Sequence, residues 1–235
     1  MKIEGKVCLI TGATSGIGYE TALRLKEKGA VVIGTGRNDE VIAEIKNAGL
    51  FDVVKCDSGN EDEVLSLFSY IKEKYGTLHV LINNAAYGYF DSLVKQDVKK
   101  FEEMFRTNVT GAMLMGREAA RIFTANNYGN IINISSTAGT RGFEGGTAYA
   151  SSKFAVRGMT ECWRAELRKY NVRVILINPS EVQTKFARNA GFGHREFNST
   201  KLQSQDIVHA LISALEMEDR GFITELTVFA TNPSS

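Results

Sequence analysis

The sequence predicts an α/β fold in which about seven parallel strands form a doubly wound sheet with helices on both faces. Short β-branched segments alternate with longer amphipathic ones, and the short segments are apolar throughout, which is typical of parallel strands covered on both sides. The 235 residues are 43% hydrophobic, which suffices for a substantial core, and no Ser/Gly-rich linker or repeat divides them. We therefore expect a single domain over residues 1–235.

Strands and helices follow each other along the chain. Amphipathic segments such as Tyr19 to Lys28 lie between the strands, and one helix is delimited at both ends. Asn60 and Glu63 predict a capping box at its start, and Gly76 predicts its end after about Tyr75. The predicted strands are Val7 to Thr11, Val31 to Gly34, Val53 to Cys56, Val80 to Asn83, Ile131 to Ser135, Val172 to Asn178 and Ile223 to Phe229.

The segment from Lys185 to about Gln203 interrupts this alternation, with glycines, scattered aromatic residues and no clean period. A segment of this length in a compact domain is usually functional or disordered. We favour a substrate loop at about 185–203 over a mobile insertion.

Composition excludes several classes of function. The formal net charge is +1, so no global field would draw nucleic acid or anionic lipid, and no apolar run reaches the length that spans a membrane. Because the sequence passes from one polar turn directly into a strand, we expect a cytoplasmic protein. Cys8, Cys56 and Cys162 are far apart and odd in number, which favours buried thiols over disulfides or a metal site.

The first predicted strand runs into a glycine-rich turn, Thr11 to Gly18 (TGATSGIG), and a helical pattern follows. Glycines at 12, 16 and 18 would let backbone N–H groups approach a pyrophosphate at the positive end of that helix. The alternative is a tight strand-to-helix connection. The strand before and the helix after the turn favour a dinucleotide site.

The end of the second strand indicates which dinucleotide binds. An acidic side chain there would bind the ribose hydroxyls of NAD, but Gly36 occupies that position and Arg37 follows it. A guanidinium pairs well with phosphate, so the pattern favours NADP(H) over NAD(H). The alternative is a solvated Arg37 in a loop, with Asp39 as a rival acid. Asp57 would accept a hydrogen bond from the adenine amino group or cap a helix.

Tyr149 and Lys153 are four residues apart in a predicted helix, hence on one face. An ammonium group beside a phenol would lower its pKa towards neutrality and favour proton exchange with a substrate oxygen. Tyr70 and Lys74 have the same spacing in a charged helix, where a solvated face is the better interpretation. Only the first pair follows a strand that ends in a hydroxyl, Ser136, placed to bind the same substrate oxygen or to act as a cap.

Six motifs occur in order: TGATSGIG, NNAA, TNVTG, ISS, YASSK and PSEVQT. Together they make the chain resemble the short-chain dehydrogenase/reductase family in its compact form, over nearly its whole length. The resemblance implies a Rossmann-type fold and a tetrad of Asn108, Ser136, Tyr149 and Lys153. It implies that Tyr149 is the acid/base and that Ser136 polarises the substrate oxygen. It also implies that Lys153 binds the nicotinamide ribose and lowers the phenol pKa, and that Asn108 holds a water.

The resemblance also implies the remaining cofactor contacts and the assembly. It places the ribose phosphate at Arg37 and the adenosine at Asp57 and Asn84, and it implies a homodimer or homotetramer. Ala86 and Ser180 replace glycines of the family pattern and would tighten the pocket. The cofactor-binding residues expected are Gly12, Thr14, Ser15, Gly16, Ile17, Gly18, Arg37, Asp57, Asn84, Tyr149, Lys153, Val182 and Thr184.

Aromatic residues near these motifs predict an apolar or ring-bearing substrate, although each of them is equally compatible with core packing. The candidates are Tyr87, Tyr89, Phe90, Phe143, Glu144, Phe186, Phe192 and Phe197. His194, Arg188 and Arg195 would meet an anionic group, but solvated loop charge is the better interpretation.

The function predicted is an NADP(H)-dependent oxidoreductase that interconverts a carbonyl and a secondary alcohol on a small molecule. The alternatives are a non-catalytic dinucleotide-binding redox sensor, which would not need the whole tetrad, and an NAD-dependent alcohol dehydrogenase of the same fold.

Overall fold

The computed structural model describes residues 1–184, 186, 190 and 196–232. These residues contain a seven-stranded sheet in which every pair of neighbouring strands is parallel, as the sequence predicts. Its strands are β1 (Val7–Ile10), β2 (Val31–Gly36), β3 (Asp52–Lys55), β4 (Val80–Asn83), β5 (Gly129–Ile134), β6 (Val172–Pro179) and β7 (Glu225–Val228). The order across the sheet is β3-β2-β1-β4-β5-β6-β7.

Helices connect the strands in the crossovers. They are α1 (Gly16–Glu27), α2 (Asp39–Asn47), α3 (Glu61–Tyr75), α4 (Val98–Phe105), α5 (Gly111–Asn126), α6 (Thr147–Leu167) and α7 (Ser204–Glu216). One π-helical turn, Arg106–Thr110, joins α4 to α5. None of the described helices is long and apolar enough to cross a membrane.

Alternation along each strand builds a core on both faces of the sheet. Cys8 and Ile10 of β1 belong to a buried cluster that contains residues of α1, α2 and α7. Val7 and Leu9 of the same strand belong to a second cluster that contains residues of α3 and α5. Successive side chains of a strand point to opposite faces, so both faces of the sheet are covered by apolar clusters.

Element boundaries differ from the sequence predictions by one to three residues. β2 continues to Gly36, and α1 already begins at Gly16 inside the glycine-rich turn. The predicted capping box forms only in half: the Asn60 side chain caps α3, but the Glu63 carboxylate accepts from the backbone N–H of Asp57 at 2.8 Å instead of from Asn60.

The buried state of the cysteines is predicted correctly for Cys8 and Cys56 but wrongly for Cys162, which is exposed. Cys162 lies on α6, where the amphipathic pattern does not distinguish a small apolar residue on the outer face from one on the inner face.

The topology fixes where a ligand can bind. Strand order reverses between β1 and β4, because the chain builds outward to β3 on one side and to β7 on the other. In open parallel sheets, the crevice outside the carboxyl ends of the strands at such a switch point binds ligands. The glycine-rich turn after β1, Asn84 after β4 and Ser136 after β5 all lie at this edge.

Candidate active site

A cavity of about 840 Å³ opens at the carboxyl edge of the sheet. It brings together segments that are far apart in the chain, from the turn after β1 to the residues that follow β6. The predicted site residues that line it are Gly12, Thr14, Ser15, Gly16, Ile17, Arg37, Asp57, Asn84, Tyr87, Ser136, Phe143, Tyr149, Lys153, Val182, Thr184 and Phe186. Ala86 and Ser180, the two departures from the family pattern, line it as well.

The glycine-rich turn is held against the end of β4. Thr11 Oγ1 accepts from the backbone N–H groups of Asn84 (3.0 Å) and Ala85 (2.9 Å). A Cβ on Gly12, whose φ is 66°, would lie 2.9 Å from the Ala85 Cα atom. Gly18 does not line the cavity. A Cβ there would overlap the Asn84 amide, so this glycine lets α1 approach β4.

The N-terminus of α1 faces the cavity. Ser15 is the N-cap residue, yet its side chain makes no capping hydrogen bond, and Gly16 and Ile17 line the cavity directly. The first N–H groups of a helix lack intrahelical partners and carry the positive end of its dipole. This arrangement fits a pyrophosphate.

The end of β2 has no room for an acidic side chain. Gly36 packs so closely on Thr14 that a Cβ at position 36 would overlap the threonine methyl group. The rival acid, Asp39, forms an ion pair with Lys55 at 2.7 Å and does not line the cavity. Arg37 is therefore the charged residue that β2 presents to the cavity.

Asp57 is already engaged by the protein. Its Oδ1 accepts from the backbone N–H of Gly59 at 3.0 Å, and its Oδ2 accepts from Arg106 Nη1 at 2.9 Å. Partial burial raises the Asp57 pKa, but these hydrogen bonds and the charges of Arg106 and Arg37 outweigh burial and hold the pKa below its usual range. The carboxylate is ionised at the rim of the cavity.

Tyr149 packs against two phenylalanine rings. The centroid of its ring is 5.2 Å from that of Phe90 and 5.5 Å from that of Phe186. The Ser136 hydroxyl hydrogen-bonds the phenol, and Lys153 Nζ lies 5.7 Å from the centre of the phenol ring. Three residues predicted to act together therefore surround one point of the cavity.

The expected lowering of the phenol pKa does not occur. Burial raises the pKa of Tyr149 to about 12 against the opposing hydrogen bond from Ser136, and burial lowers the pKa of Lys153 to about 8. Lys153 donates to the Ile134 carbonyl at 3.0 Å rather than to the phenol. Burial disfavours the charged form of each group, the phenolate of Tyr149 and the ammonium of Lys153.

Asn108 does not line the main cavity. It lies in the π-helical turn, where its Oδ1 accepts from the Tyr87 N–H at 3.0 Å and its Nδ2 donates to the Tyr87 carbonyl (3.0 Å) and to Ser152 Oγ (3.1 Å). A small adjoining cavity of about 10 Å³ is lined by both Asn108 and Lys153. Asn108 thus clamps the chain after β4 and adjoins Lys153.

Tyr70 and Lys74 have the same spacing as Tyr149 and Lys153 but belong to a different environment. Lys74 Nζ donates to Tyr70 Oη at 2.7 Å, and both donate to Asp52. The interpretation of this pair as a purely solvated helix face is therefore wrong, because the pair ties α3 to the edge strand β3. Neither residue lines the cavity.

Three of the predicted substrate residues are not at the cavity. Glu144 is exposed and does not line it, and Phe197 is 71% exposed. Tyr89 uses its hydroxyl to bind the Lys95 carbonyl and the Asp97 N–H. Phe192, His194, Arg188 and Arg195 lie outside the described residues, as does much of the predicted loop at 185–203.

Sequence reasoning missed other lining residues, notably Arg141, Gly142 and Glu181. Arg141 and Gly142 lie between Ser136 and Tyr149, so their position in the sequence was a usable signal. Thr184 has a second role that motif matching did not indicate: its hydroxyl accepts from the Phe186 N–H at 3.2 Å and so anchors that ring.

Comparison with known proteins assigns the family. The family model described as short chain dehydrogenase matches residues 6–193. The chain belongs to the short-chain dehydrogenase/reductase family.

Two relatives and one solved structure show the extent of the similarity. An uncharacterized oxidoreductase of Staphylococcus saprophyticus is 31% identical over 97% of this chain and 98% of its own length. A 3beta-hydroxysteroid dehydrogenase of Mediterraneibacter gnavus is 35% identical over 78% of this chain and 68% of its own. A solved structure described as the closed form of serine dehydrogenase complexed with NADP+ has a TM-score of 0.90 and 27% identity, over 97% of this chain and 96% of that one.

This short-chain dehydrogenase/reductase therefore has the Rossmann-type fold, and it is an oxidoreductase by family.

Proposed function

We propose that the protein is an NADP(H)-dependent oxidoreductase that interconverts a carbonyl and a secondary alcohol on a small molecule. The observation that carries the proposal is the meeting of Ser136, Tyr149 and Lys153 in the same cavity as the glycine-rich turn. We further propose that residues 1–235 form one domain with a substrate loop at about 185–203, and that the enzyme is a cytoplasmic homodimer or homotetramer.

The cavity residues divide into those that would hold the cofactor and those that would act on the substrate. The turn from Gly12 to Ile17 would bind the pyrophosphate, Gly18 would support this turn from behind, and Arg37 would bind the ribose phosphate. Asp57 and Asn84 would lie near the adenosine, while Val182 and Thr184 would meet the nicotinamide end. The cofactor, when bound, supplies or accepts the hydride at the reacting carbon.

Tyr149 would exchange a proton with the substrate oxygen, and Ser136 would donate a hydrogen bond to the same oxygen. Lys153 would bind the nicotinamide ribose, and Asn108 would position the chain beside it. Because Phe90 and Phe186 flank the phenol, water is kept from one side of the transfer. The raised phenol pKa keeps the proton on Tyr149 until an oxygen that accumulates negative charge takes it.

Three observations support NADP over NAD. A carboxylate at position 36 would overlap Thr14, and Lys55 binds the carboxylate of Asp39. Arg37 lines the cavity next to Gly36, and a guanidinium pairs well with a phosphate. The neighbour described as serine dehydrogenase was solved with NADP+.

The test is the rate of NADPH consumption with a panel of ketones, sugars, steroids and 3-oxoacyl thioesters, with NADH in parallel. Tyr149→Phe should lower kcat by about 10³-fold, as expected for loss of a general acid, without weakening NADPH binding. Tyr70→Phe is the matched control, since it removes a hydroxyl with the same Tyr-Lys spacing outside the cavity, and kcat should stay near wild type.

Two results would contradict the proposal. Wild-type turnover in Tyr149→Phe would refute the assignment of the acid. NADPH binding without consumption of any substrate would favour the redox sensor, and a preference for NADH would favour the NAD-dependent alcohol dehydrogenase.

A further inference from the structure

The cavity beside Tyr149 has an aromatic wall formed by Phe90, Phe143 and Phe186. The Phe90 and Phe143 centroids are 6.1 Å apart, and Phe90 and Phe186 both pack against the Tyr149 ring. Gly88 allows this arrangement, because a Cβ there would lie 2.6 Å from Phe90 and 2.8 Å from Phe186. Such a wall favours a substrate with an aromatic or branched aliphatic group.

Among the residues that the structure describes, the charged groups that line the cavity are Arg37, Asp57, Arg141, Lys153 and Glu181. Most of them already have a partner or belong to another part of the cavity. Asp57 binds Arg106, Glu181 binds Lys201 at 3.0 Å, and Lys153 donates to a backbone carbonyl. Arg37 directly follows Gly36, which packs on Thr14 of the glycine-rich turn, so it belongs to the part of the cavity proposed to hold the cofactor.

Arg141 differs from these residues. It makes no hydrogen bond or ion pair with any residue in the ranges 1–184, 186, 190 and 196–232. It follows Ser136 by five residues and precedes Phe143 by two, so it belongs to the segment that contributes Phe143 to the aromatic wall. A guanidinium group prefers planar anions, which it binds through two parallel hydrogen bonds, and a carboxylate is the simplest such group on a small metabolite.

Resting on the proposed function, we propose that the substrate is an oxo- or hydroxycarboxylate whose carboxylate pairs with Arg141 and whose apolar group packs on Phe90, Phe143 and Phe186. The reacting oxygen then lies at Tyr149 and Ser136. In the reducing direction the carbonyl carbon gains a hydride and its oxygen gains the Tyr149 proton, while NADPH is oxidised to NADP+. Solvent returns one proton to Tyr149, and oxidation of the hydroxy acid reverses each transfer.

The first experiment compares each acid with its own methyl ester, which keeps the shape and removes the charge. Phenylpyruvate, freshly prepared 3-oxo-3-phenylpropanoate and 4-oxo-4-phenylbutanoate cover three spacings between the carbonyl and the carboxylate. For the preferred acid, Arg141→Gln should lower the acid-to-ester ratio of kcat/KM by about 30-fold, mainly through KM, as expected for a lost charge-assisted pair. Arg141→Lys should restore part of the ratio.

Arg168→Gln is the matched control, because it removes the same charge from an exposed arginine that does not line the cavity. The acid-to-ester ratio should then equal that of the wild type. An equal ratio in Arg141→Gln would overturn the inference. So would a weaker binding of NADPH in Arg141→Gln, since Arg141 would then serve the cofactor.

A binding measurement separates this inference from the proposed function. Calorimetry with the three corresponding hydroxy acids, in the presence of NADP+, should show binding to wild type and to Arg168→Gln but not to Arg141→Gln. Turnover of neutral ketones without any acid turnover would overturn the inference alone. If no compound consumed NADPH, the proposed function would fail. Acid binding that depends on Arg141 would still support the carboxylate site, and absence of acid binding to wild type would overturn it.

Discussion

Replacement of Lys153 by methionine is expected to stabilise the folded chain near neutral pH while it removes a group proposed to be needed for turnover. The side chain is 3% exposed, and its described contact with a polar partner is the 3.0 Å hydrogen bond to the Ile134 carbonyl. Burial lowers the pKa of its ammonium group from 10.5 to about 8. The folded state therefore binds this proton less tightly than the unfolded state does.

The expected difference in unfolding free energy follows from the linkage between proton binding and folding. Each pH unit between the folded and unfolded pKa values is worth about 1.4 kcal/mol, so the charged lysine costs roughly 3 kcal/mol of stability at pH 7. Loss of the hydrogen bond to Ile134 offsets about 1 kcal/mol of that gain. Lys153→Met should therefore be more stable than wild type by about 2 kcal/mol at pH 7.

The lowered pKa of Lys153 makes the stability of the wild type rise with pH. A lysine with a depressed folded pKa contributes its full stability only above the unfolded pKa of 10.5, and this contribution is lost as pH falls to about 8. Between these pH values the wild type gains stability as pH rises, and Lys153→Met does not. The advantage of the variant should disappear by about pH 9.5.

Urea unfolding at pH 7.0 and pH 9.5, at one protein concentration, measures both effects. Lys99→Met is the matched control, because Lys99 is exposed and its removal should change the free energy of unfolding by less than about 0.5 kcal/mol at either pH. Equal stability of wild type and Lys153→Met at pH 7, or a constant difference between them at both pH values, would refute the reasoning.

Two other outcomes are expected. Gly36→Asp should weaken the binding of NADPH and NADH alike by about tenfold or more. The Cβ of the new side chain overlaps Thr14, and relieving such an overlap costs about 1–3 kcal/mol. Fluorescence titration measures both affinities, and tighter binding of NADH to the variant than to the wild type would contradict this prediction. Burial and the charge of Lys6 lower the pKa of His79, and the His79 Nδ1 accepts from the Val7 N–H at 3.0 Å. The stability that the neutral ring provides is therefore present above about pH 6.5 and is lost below it. His79→Gln should flatten the fall in urea-unfolding free energy between pH 7.5 and pH 5.5, and an unchanged slope would exclude His79 as its source.

The sequence predicted the sheet well because local patterns determine it. Apolar runs and their alternation with amphipathic segments identified seven strands, and the observed sheet has seven parallel strands in one doubly wound order. The errors are at boundaries. Glu63 has the residue type for a capping box, but the Asp57 N–H lies within its reach and takes the carboxylate, which no local rule predicts.

The candidate site was predicted where a motif fixes the backbone and missed where side chains from distant segments meet. The glycine-rich turn, Ser136 and Lys153 all line the cavity. Glu144 and Phe143 are neighbours in sequence and both were candidates, yet only Phe143 lines it. The direction of a loop side chain depends on the tertiary contact it finds, here the ring of Phe90 6.1 Å away.

The two Tyr-Lys pairs show why spacing alone does not predict chemistry. Tyr70 and Lys74 meet Asp52, whose carboxylate accepts from both and whose charge helps to hold the lysine pKa above its ordinary value. No acid raises the pKa of Lys153, and burial of the ammonium group lowers it. Helical spacing sets the separation of two side chains, whereas the residues that cover them set the local dielectric and therefore the sign of each shift. For Tyr149 those covering residues are Phe90 and Phe186, which come from two other segments, so the proton affinity of the phenol is a property of the cavity rather than of the helix that carries it.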